Sequence, residues 1–351
     1  MARKSLMSIW TRSLQRSFGQ AARSQMQAGA KALKQSLKQS MKSVQVAQAK
    51  RARAPAGPGD WLPGIAMGAG GARQFRVFRP PGLRPGERLP LLVMLHGCGQ
   101  SASSFAQSTR MNALAARERC LLLYPEQDLI ANPQGCWNWF ATRSGKAQAE
   151  VALIMQAIDQ VCLLYPVDPQ RVAVAGMSAG ASMAALLATR HPERFKAVVM
   201  HSGVPPGEAH SSLSAMGAMK GRRKAAPMAA GAMALGPAWP PLLLIHGCQD
   251  SVVSPENAQA AVQLWCAAAR LGAAANAEVK AGPARRSQRG QRYAMTTTDY
   301  KLGARSVVSL VEVDRLAHAW SGGAKSQAFS DPCGPDASRL LWRFVAQQFA
   351  A

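Results

Sequence analysis

The sequence predicts an α/β protein, a mostly parallel sheet with helices on both faces. Short apolar runs recur from about residue 70 onward, at Leu91–Leu95, Leu121–Tyr124, Val172–Ala175, Ala197–Met200, Leu242–Ile245 and Val307–Val313, and most run into turn residues. Between them lie stretches of helical length near 105–119, 149–164, 179–191, 256–272 and 336–350. The runs are continuous rather than alternating, the pattern of parallel strands buried on both faces. Hydrophobic residues make up 48% of the 351 and charged ones 17%, enough for a sizeable core.

In such a sheet, reactive groups collect in the loops at the carboxyl ends of the strands. The stretch RVAVAGMSAGASM, Arg171–Met183, runs a predicted strand into Gly176-Met177-Ser178-Ala179-Gly180 and then into a predicted helix. A Gly-x-Ser-x-Gly set between strand and helix is the setting of a nucleophile elbow, in which the glycines permit the sharp turn and leave the serine hydroxyl exposed. The alternative is a serine in a structural turn.

A serine hydroxyl needs a neighbouring base, and with this elbow the chain order is serine, acid, histidine. Of six histidines, His96, His201 and His246 end strands, His191 lies at a helix terminus and His210 falls in an irregular segment. His318 follows the last strand on the small-residue loop Ala317-His318-Ala319-Trp320-Ser321-Gly322-Gly323, the place expected of a general base. Asp250, just past the strand Leu242–Ile245, is the expected acid that orients the imidazole, with Asp314 as its rival. The oxyanion formed on attack needs two N–H donors. These are expected from Ala179 and from one residue of His96-Gly97-Cys98-Gly99-Gln100. No phosphate-binding loop and no GxGxxG after the first strand is present, so no nucleotide cofactor is expected. The seven cysteines form no CxxC pair and no zinc-like spacing, and no metal is expected.

The net charge of +24 is unevenly placed. Residues 1–54 hold 12 Lys and Arg and no acid, half of the net charge. Met7, Trp10, Leu14 and Phe18, then Leu33, Leu37, Met41 and Val44, step by three and four, with Lys31, Lys34, Lys38 and Lys42 on a neighbouring stripe. This predicts a basic amphipathic helical arm suited to an anionic or amphiphilic surface. The alternatives are packing on the body or a partner, and nucleic-acid binding, although no nucleic-acid motif is present. The arm lacks the uninterrupted apolar core of a secretory signal, which predicts a cytoplasmic protein. No 18 uncharged apolar residues run together, so no transmembrane segment is expected. Residues 55–69 read as a linker and 70–351 as the body. Residues 205–238, rich in Ala, Met, Gly and Pro, read as a lid insertion or a mobile loop, and the arginine-rich 280–295 as a loop.

Leu95-His96-Gly97-Cys98-Gly99-Gln100, Tyr124-Pro125-Glu126-Gln127, Cys136-Trp137-Asn138-Trp139-Phe140, the elbow and His318-Ala319-Trp320-Ser321-Gly322-Gly323 together resemble the polyhydroxybutyrate depolymerase family of esterases over roughly residues 70–351. The resemblance implies an α/β-hydrolase fold with Ser178 as nucleophile, Asp250 as acid, His318 as base and Cys98 as the second oxyanion donor through its backbone. It implies cleavage of poly(3-hydroxybutyrate), short polyester fragments, or feruloyl and acetyl esters on plant polysaccharides, without a cofactor. It also suggests a Cys98–Cys136 bond, unusual in a reducing cytoplasm. Trp137, Trp139, Phe140 and Trp320 are expected to line the ester cleft; the alternative for the Trp137–Phe140 loop is an aromatic cluster in the core. The arm is expected to dock the protein on intracellular polyester granules or their coat proteins. The rival from another class is a granule- or nucleic-acid-associated binding protein that has kept a hydrolase body.

Overall fold

The computed structural model describes residues 53–222, 238–271, 273 and 277–350, together with Lys38. The body opens on an antiparallel hairpin, β1 (Asp60–Gly68) and β2 (Gly71–Arg79). A parallel section follows: β3 (Leu89–Leu95), β4 (Leu121–Pro125), β5 (Val167–Met177), β6 (Ala197–His201) and β7 (Leu242–Gly247). Short β8 (Val279–Ala281) and β9 (Arg285–Ser287) precede β10 (Met295–Leu302) and β11 (Arg305–Val313). A separate pair, β12 (Trp320–Ser321) and β13 (Ser330–Asp331), lies in the loops beyond.

The eleven-stranded sheet has the order β1-β2-β4-β3-β5-β6-β7-β11-β10-β8, with β9 also paired to β10. Strands β4, β3, β5, β6, β7 and β11 are mutually parallel. The strand order reverses between β3 and β5, because β4 lies on one side of β3 and β5 on the other. In an open α/β sheet this switch point leaves a crevice at the carboxyl ends of the strands, where ligands bind. The loop after β3 and the elbow after β5 flank it.

The continuous apolar runs divide between two cores. In β3, Leu91, Val93 and Leu95 face one core while Leu92 and Met94 face the other. Helices α3 (Lys146–Leu164), α4 (Ala179–Arg190) and α6 (Glu256–Leu271) cover the first face. Helices α1 (Ala102–Thr109), α2 (Met111–Glu118) and α7 (Ala337–Ala350) cover the second. Both faces being covered, the central parallel strands β3, β4 and β6 are buried along their whole length, which favours apolar residues on both sides. Among the described residues α3 is the one helix long and apolar enough to cross a membrane. It packs against β1 and β2 with half of that span buried, the role of a core helix.

Several sequence expectations need correction. The linker expected at 55–69 holds β1, paired residue for residue from Asp60 with Arg79 to Gly68 with Gly71. It is an edge strand in which only Ala66 is buried, so it shows no apolar run. The loop expected at 280–295 contains β9 and the start of β10, an antiparallel extension whose exposed arginines mask it. The single helix expected near 105–119 is two, because Arg110 turns left-handed at φ +55° between them. In the lid segment, α5 (Ser212–Met219) is held at its start by a capping box between Ser211 and Ser214. Residues 223–237 of that segment, and the arm other than Lys38 and Arg53–Ala54, lie outside the described residues.

Candidate active site

Ser178 stands between β5 and α4 at φ +56°, ψ −123°, a region that a non-glycine residue occupies only when its surroundings enforce it. Its N–H donates to the His201 carbonyl at 2.9 Å, and its own carbonyl accepts the Ser182 N–H at 3.1 Å. The flanking glycines are a packing requirement. A Cβ on Gly176 would run into the backbone of Gly180, and one on Gly180 into the carbonyls of Leu95 and His96. Helix α4 therefore passes directly over the ends of β3 and β5, with Ser178 at its start.

Ser178 lines a cavity of about 1020 Å³. Cys98 and Ala179 line it as well. Among the described residues neither the Cys98 nor the Ala179 N–H has an acceptor, so both are free to meet a developing negative charge. The Cys98 loop is tightly tied. The Gly97 N–H donates to Gln100 Oε1 at 2.9 Å, the Gly99 N–H to the Gln134 carbonyl at 3.0 Å, and Cys98 is disulfide-bonded to Cys136.

His318 Nδ1 lies 2.7 Å from Asp250 Oδ2. The carboxylate is fully buried, and its Oδ1 accepts the N–H groups of Val252 and Val253 at 3.0 and 2.8 Å. Burial works to raise the Asp250 pKa, but the His318 hydrogen bond, its charge and the Val253 N–H outweigh it and leave the group below the usual carboxylate range. His246 Nε2 lies 3.6 Å from Asp250 and 2.9 Å from the Val253 carbonyl, bracing the same turn. Asp314, the rival acid, pairs instead with Arg286 on the surface.

The aromatic residues part company. Trp137, Trp139 and Phe140 all line the cavity, with Trp139 and Phe140 edge-to-face at 5.6 Å. Trp137 is fully buried and donates its indole N–H to the His96 carbonyl at 3.0 Å, so it also holds the loop after β3. Trp320, expected in the ester cleft, is not among the lining residues. It is fully buried between His201, stacked at 5.0 Å, and Phe105, edge-on at 5.5 Å. Its indole N–H donates to Ser338 Oγ at 3.2 Å, which anchors the His318 loop in the core.

Two contributors, Glu150 and His201, gave no signal in the sequence, and a third, helix α5, lies inside the segment read as a lid or mobile loop. Glu150 on α3 is buried and accepts from Gln127 Nε2, the Asn138 N–H and Asn138 Nδ2 at 2.6–2.8 Å, so it holds Asn138 directly and, through Gln127, the Cys136 carbonyl. Helix α5 supplies Ala215, Met216 and Met219 to the cavity, beside His210. His201 bridges the elbow to the His318 loop. Glu150 and His201 are polar residues inside or at the end of apolar runs, and their chain positions say nothing of what they touch.

A mostly parallel sheet carrying this elbow defines the α/β-hydrolase fold, and the likeness to known proteins agrees. Residues 73–292 match the family described as esterase PHB depolymerase. The chain belongs to that family. It is 32% identical over 181 residues to poly(3-hydroxyalkanoate) depolymerase C of Paucimonas lemoignei, a match covering 50% of this chain and 44% of that one. It is 27% identical over 192 residues to feruloyl esterase B of Neurospora crassa, covering 50% and 63%. The chain thus matches about half to two thirds of the length of these relatives. An acetyl xylan esterase from Aspergillus awamori shares the fold at a TM-score of 0.55 and 18% identity, covering 74% of this chain and 94% of that one.

Proposed function

We propose that the chain hydrolyses esters of short-side-chain poly(3-hydroxyalkanoates) through a Ser178–His318–Asp250 triad. Ser178 Oγ attacks the ester carbonyl while His318 takes its proton and then delivers it to the leaving alkoxide. A water, deprotonated by the same imidazole, next attacks the acyl-enzyme, and the imidazolium returns that proton to Ser178 Oγ as the carboxylic acid product departs. Asp250 holds the imidazole with Nδ1 protonated, and the N–H groups of Cys98 and Ala179 stabilise the oxyanion. The observation that carries the reading is the 2.7 Å contact of His318 with a buried carboxylate, on the loop tied through His201 to the strained serine. The cavity favours an extended, largely apolar ester, since Trp139, Phe140, Met216 and Met219 line it, no acidic side chain among the described residues does, and its volume is at the top of the range of about 300–1,000 Å³ usual for ligand pockets. The test is turnover of amorphous polyhydroxybutyrate granules and of feruloyl esters by the wild type and Ser178→Ala. Granule hydrolysis lost in the variant is expected.

A second substrate reading, a feruloyl or acetylxylan-type esterase, is favoured by one observation: Trp139 and Phe140 present an aromatic wall to the cavity. A wild type that turns over feruloyl esters and leaves granules intact would select it. We assign residues 1–54 to docking on polyester granules, on the strength of their paired apolar and cationic stripes. Granule localisation of a fluorescent fusion that survives deletion of this arm would sink the assignment. Cytoplasmic placement conflicts with the Cys98–Cys136 bond, since such bonds persist in oxidising compartments. Alkylation and mass measurement of protein taken from its native cell decides: two free thiols support the cytoplasm, an intact bond an oxidising compartment.

A further inference from the structure

We infer that His201 is a positioning residue that sets the His318 loop against the Ser178 elbow, an inference that rests on the triad reading above. The residue joins the two halves of the site by different parts of itself. Its carbonyl accepts the Ser178 N–H at 2.9 Å, which fixes the backbone of the elbow. Its Nε2 accepts the Ser321 N–H at 3.2 Å, three residues beyond His318. Its ring stacks on Trp320 at 5.0 Å with an interplanar angle of 24°, gripping the same loop one residue earlier. These are long-range ties from the end of β6 to a loop more than a hundred residues later in the chain.

The role requires an acceptor at Nε2, hence an uncharged ring. The side chain is fully buried, and burial, with His246 and His318 nearby, pushes its pKa down to about 3, against the opposing pull of Asp250. A neutral ring with Nδ1 protonated donates to Ser202 Oγ, 3.2 Å away, and leaves Nε2 free to accept. Ser202 is itself held left-handed at φ +53°, with its N–H on the Ile245 carbonyl at 3.0 Å. The tie therefore runs unbroken from the elbow through the end of β6 to the end of β7. The loop has further anchors on its far side, where Ser321 Oγ donates to the Pro335 carbonyl at 2.7 Å. Losing the His201 tie should displace the loop without unravelling it. A misplacement of the base on the order of 1 Å suffices to slow the chemical step about a hundredfold while leaving ester binding in the cavity untouched.

Two substitutions separate the tie from the packing. His201→Phe keeps a ring against Trp320 and leaves the Ser321 N–H without an acceptor. His201→Gln sacrifices the stacking but places an amide oxygen near the Nε2 position. Kinetics on a soluble short-chain ester, normalised to active sites titrated with a fluorophosphonate, should show kcat of His201→Phe lowered about tenfold to a hundredfold with KM within about twofold. His201→Gln should recover to within a few-fold of the wild type. Equal kcat in His201→Phe and wild type, with Ser178→Ala inactive, would overturn this inference alone. Equal losses in Phe and Gln variants would assign the residue to packing and likewise overturn it. A Ser178→Ala protein as active as the wild type would remove the triad and this inference with it. Should His201→Phe not fold, the Gln variant decides: near-wild-type kcat supports the tie and a tenfold loss refutes it.

Discussion

His318 Nδ1 and Asp250 Oδ2 approach to 2.7 Å at a carboxylate with no solvent exposure, whose second oxygen is filled by two backbone N–H groups. The carboxylate is fixed before any substrate arrives, so it can enforce one tautomer of the imidazole.

Asp250→Asn preserves the volume and offers the imidazole an amide donor or acceptor of equal size, which releases the tautomer. The kcat for a soluble ester should fall about a thousandfold to ten-thousandfold. Steady-state kinetics with circular dichroism, to show an intact fold, checks this.

The same carboxylate makes the fold acid-sensitive. Asp250 has a folded pKa below its unfolded one, so its contribution is complete above the unfolded value and is lost as pH falls through the folded one. His201 acts at higher pH. Its pKa drops from 6.5 to about 3 on folding, so the unfolded chain binds the extra proton and stability declines as pH falls from 6.5 toward 3. The limiting slope for one such group is about 1.4 kcal/mol per pH unit. Urea midpoints measured from pH 7 down to 4 should fall for the wild type and fall less steeply for His201→Gln.

Gly180→Ala should be among the most damaging single substitutions in the body. The added methyl meets the Leu95 and His96 carbonyls, backbone atoms that cannot step aside. The cost should reach or exceed the about 3 kcal/mol at the top of the usual overpacking range, read as a fall in Tm or a loss of soluble protein.

Cys136→Ser opens a bond that spans 38 residues of sequence and ties the Cys98 loop to the cavity wall. Loop-closure entropy for that span gives a loss of about 4 kcal/mol in urea unfolding. Activity should drop only a few-fold, because the Gly97 and Gly99 N–H bonds still hold the loop. Dithiothreitol should reproduce the stability loss in the wild type and leave Cys136→Ser unchanged.

Trp320→Ala separates anchoring from substrate binding. Removing this core indole should cost about 3–5 kcal/mol of stability, whereas Phe140→Ala should raise KM for bulky esters with little effect on stability. Tm and KM measured on both variants check the division.

The parallel strands were legible because burial on both faces leaves uninterrupted apolar runs such as Leu91–Leu95. The elbow was legible because its glycines are required by contact at fixed spacing; the triad proposed above rests on a chain order that the sequence also displays. Edge elements were not. In β1 only one residue is buried, and in β9 none, so neither leaves a hydrophobic trace. Trp320 and Trp139 look alike in sequence, both in loops beyond strand ends. Only the three-dimensional path shows one stacked under His201 and the other facing the cavity. The sequence places His201 only at a strand end, and what it holds depends on a residue 120 positions away.

The most direct measurement is intact mass after fluorophosphonate treatment, paired with hydrolysis of a soluble short-chain ester. One adduct per wild-type chain is expected, mapped to Ser178, with complete loss of hydrolysis, and neither adduct nor hydrolysis in Ser178→Ala. An adduct on another residue, or a Ser178→Ala protein that hydrolyses the ester at the wild-type rate, would contradict the triad.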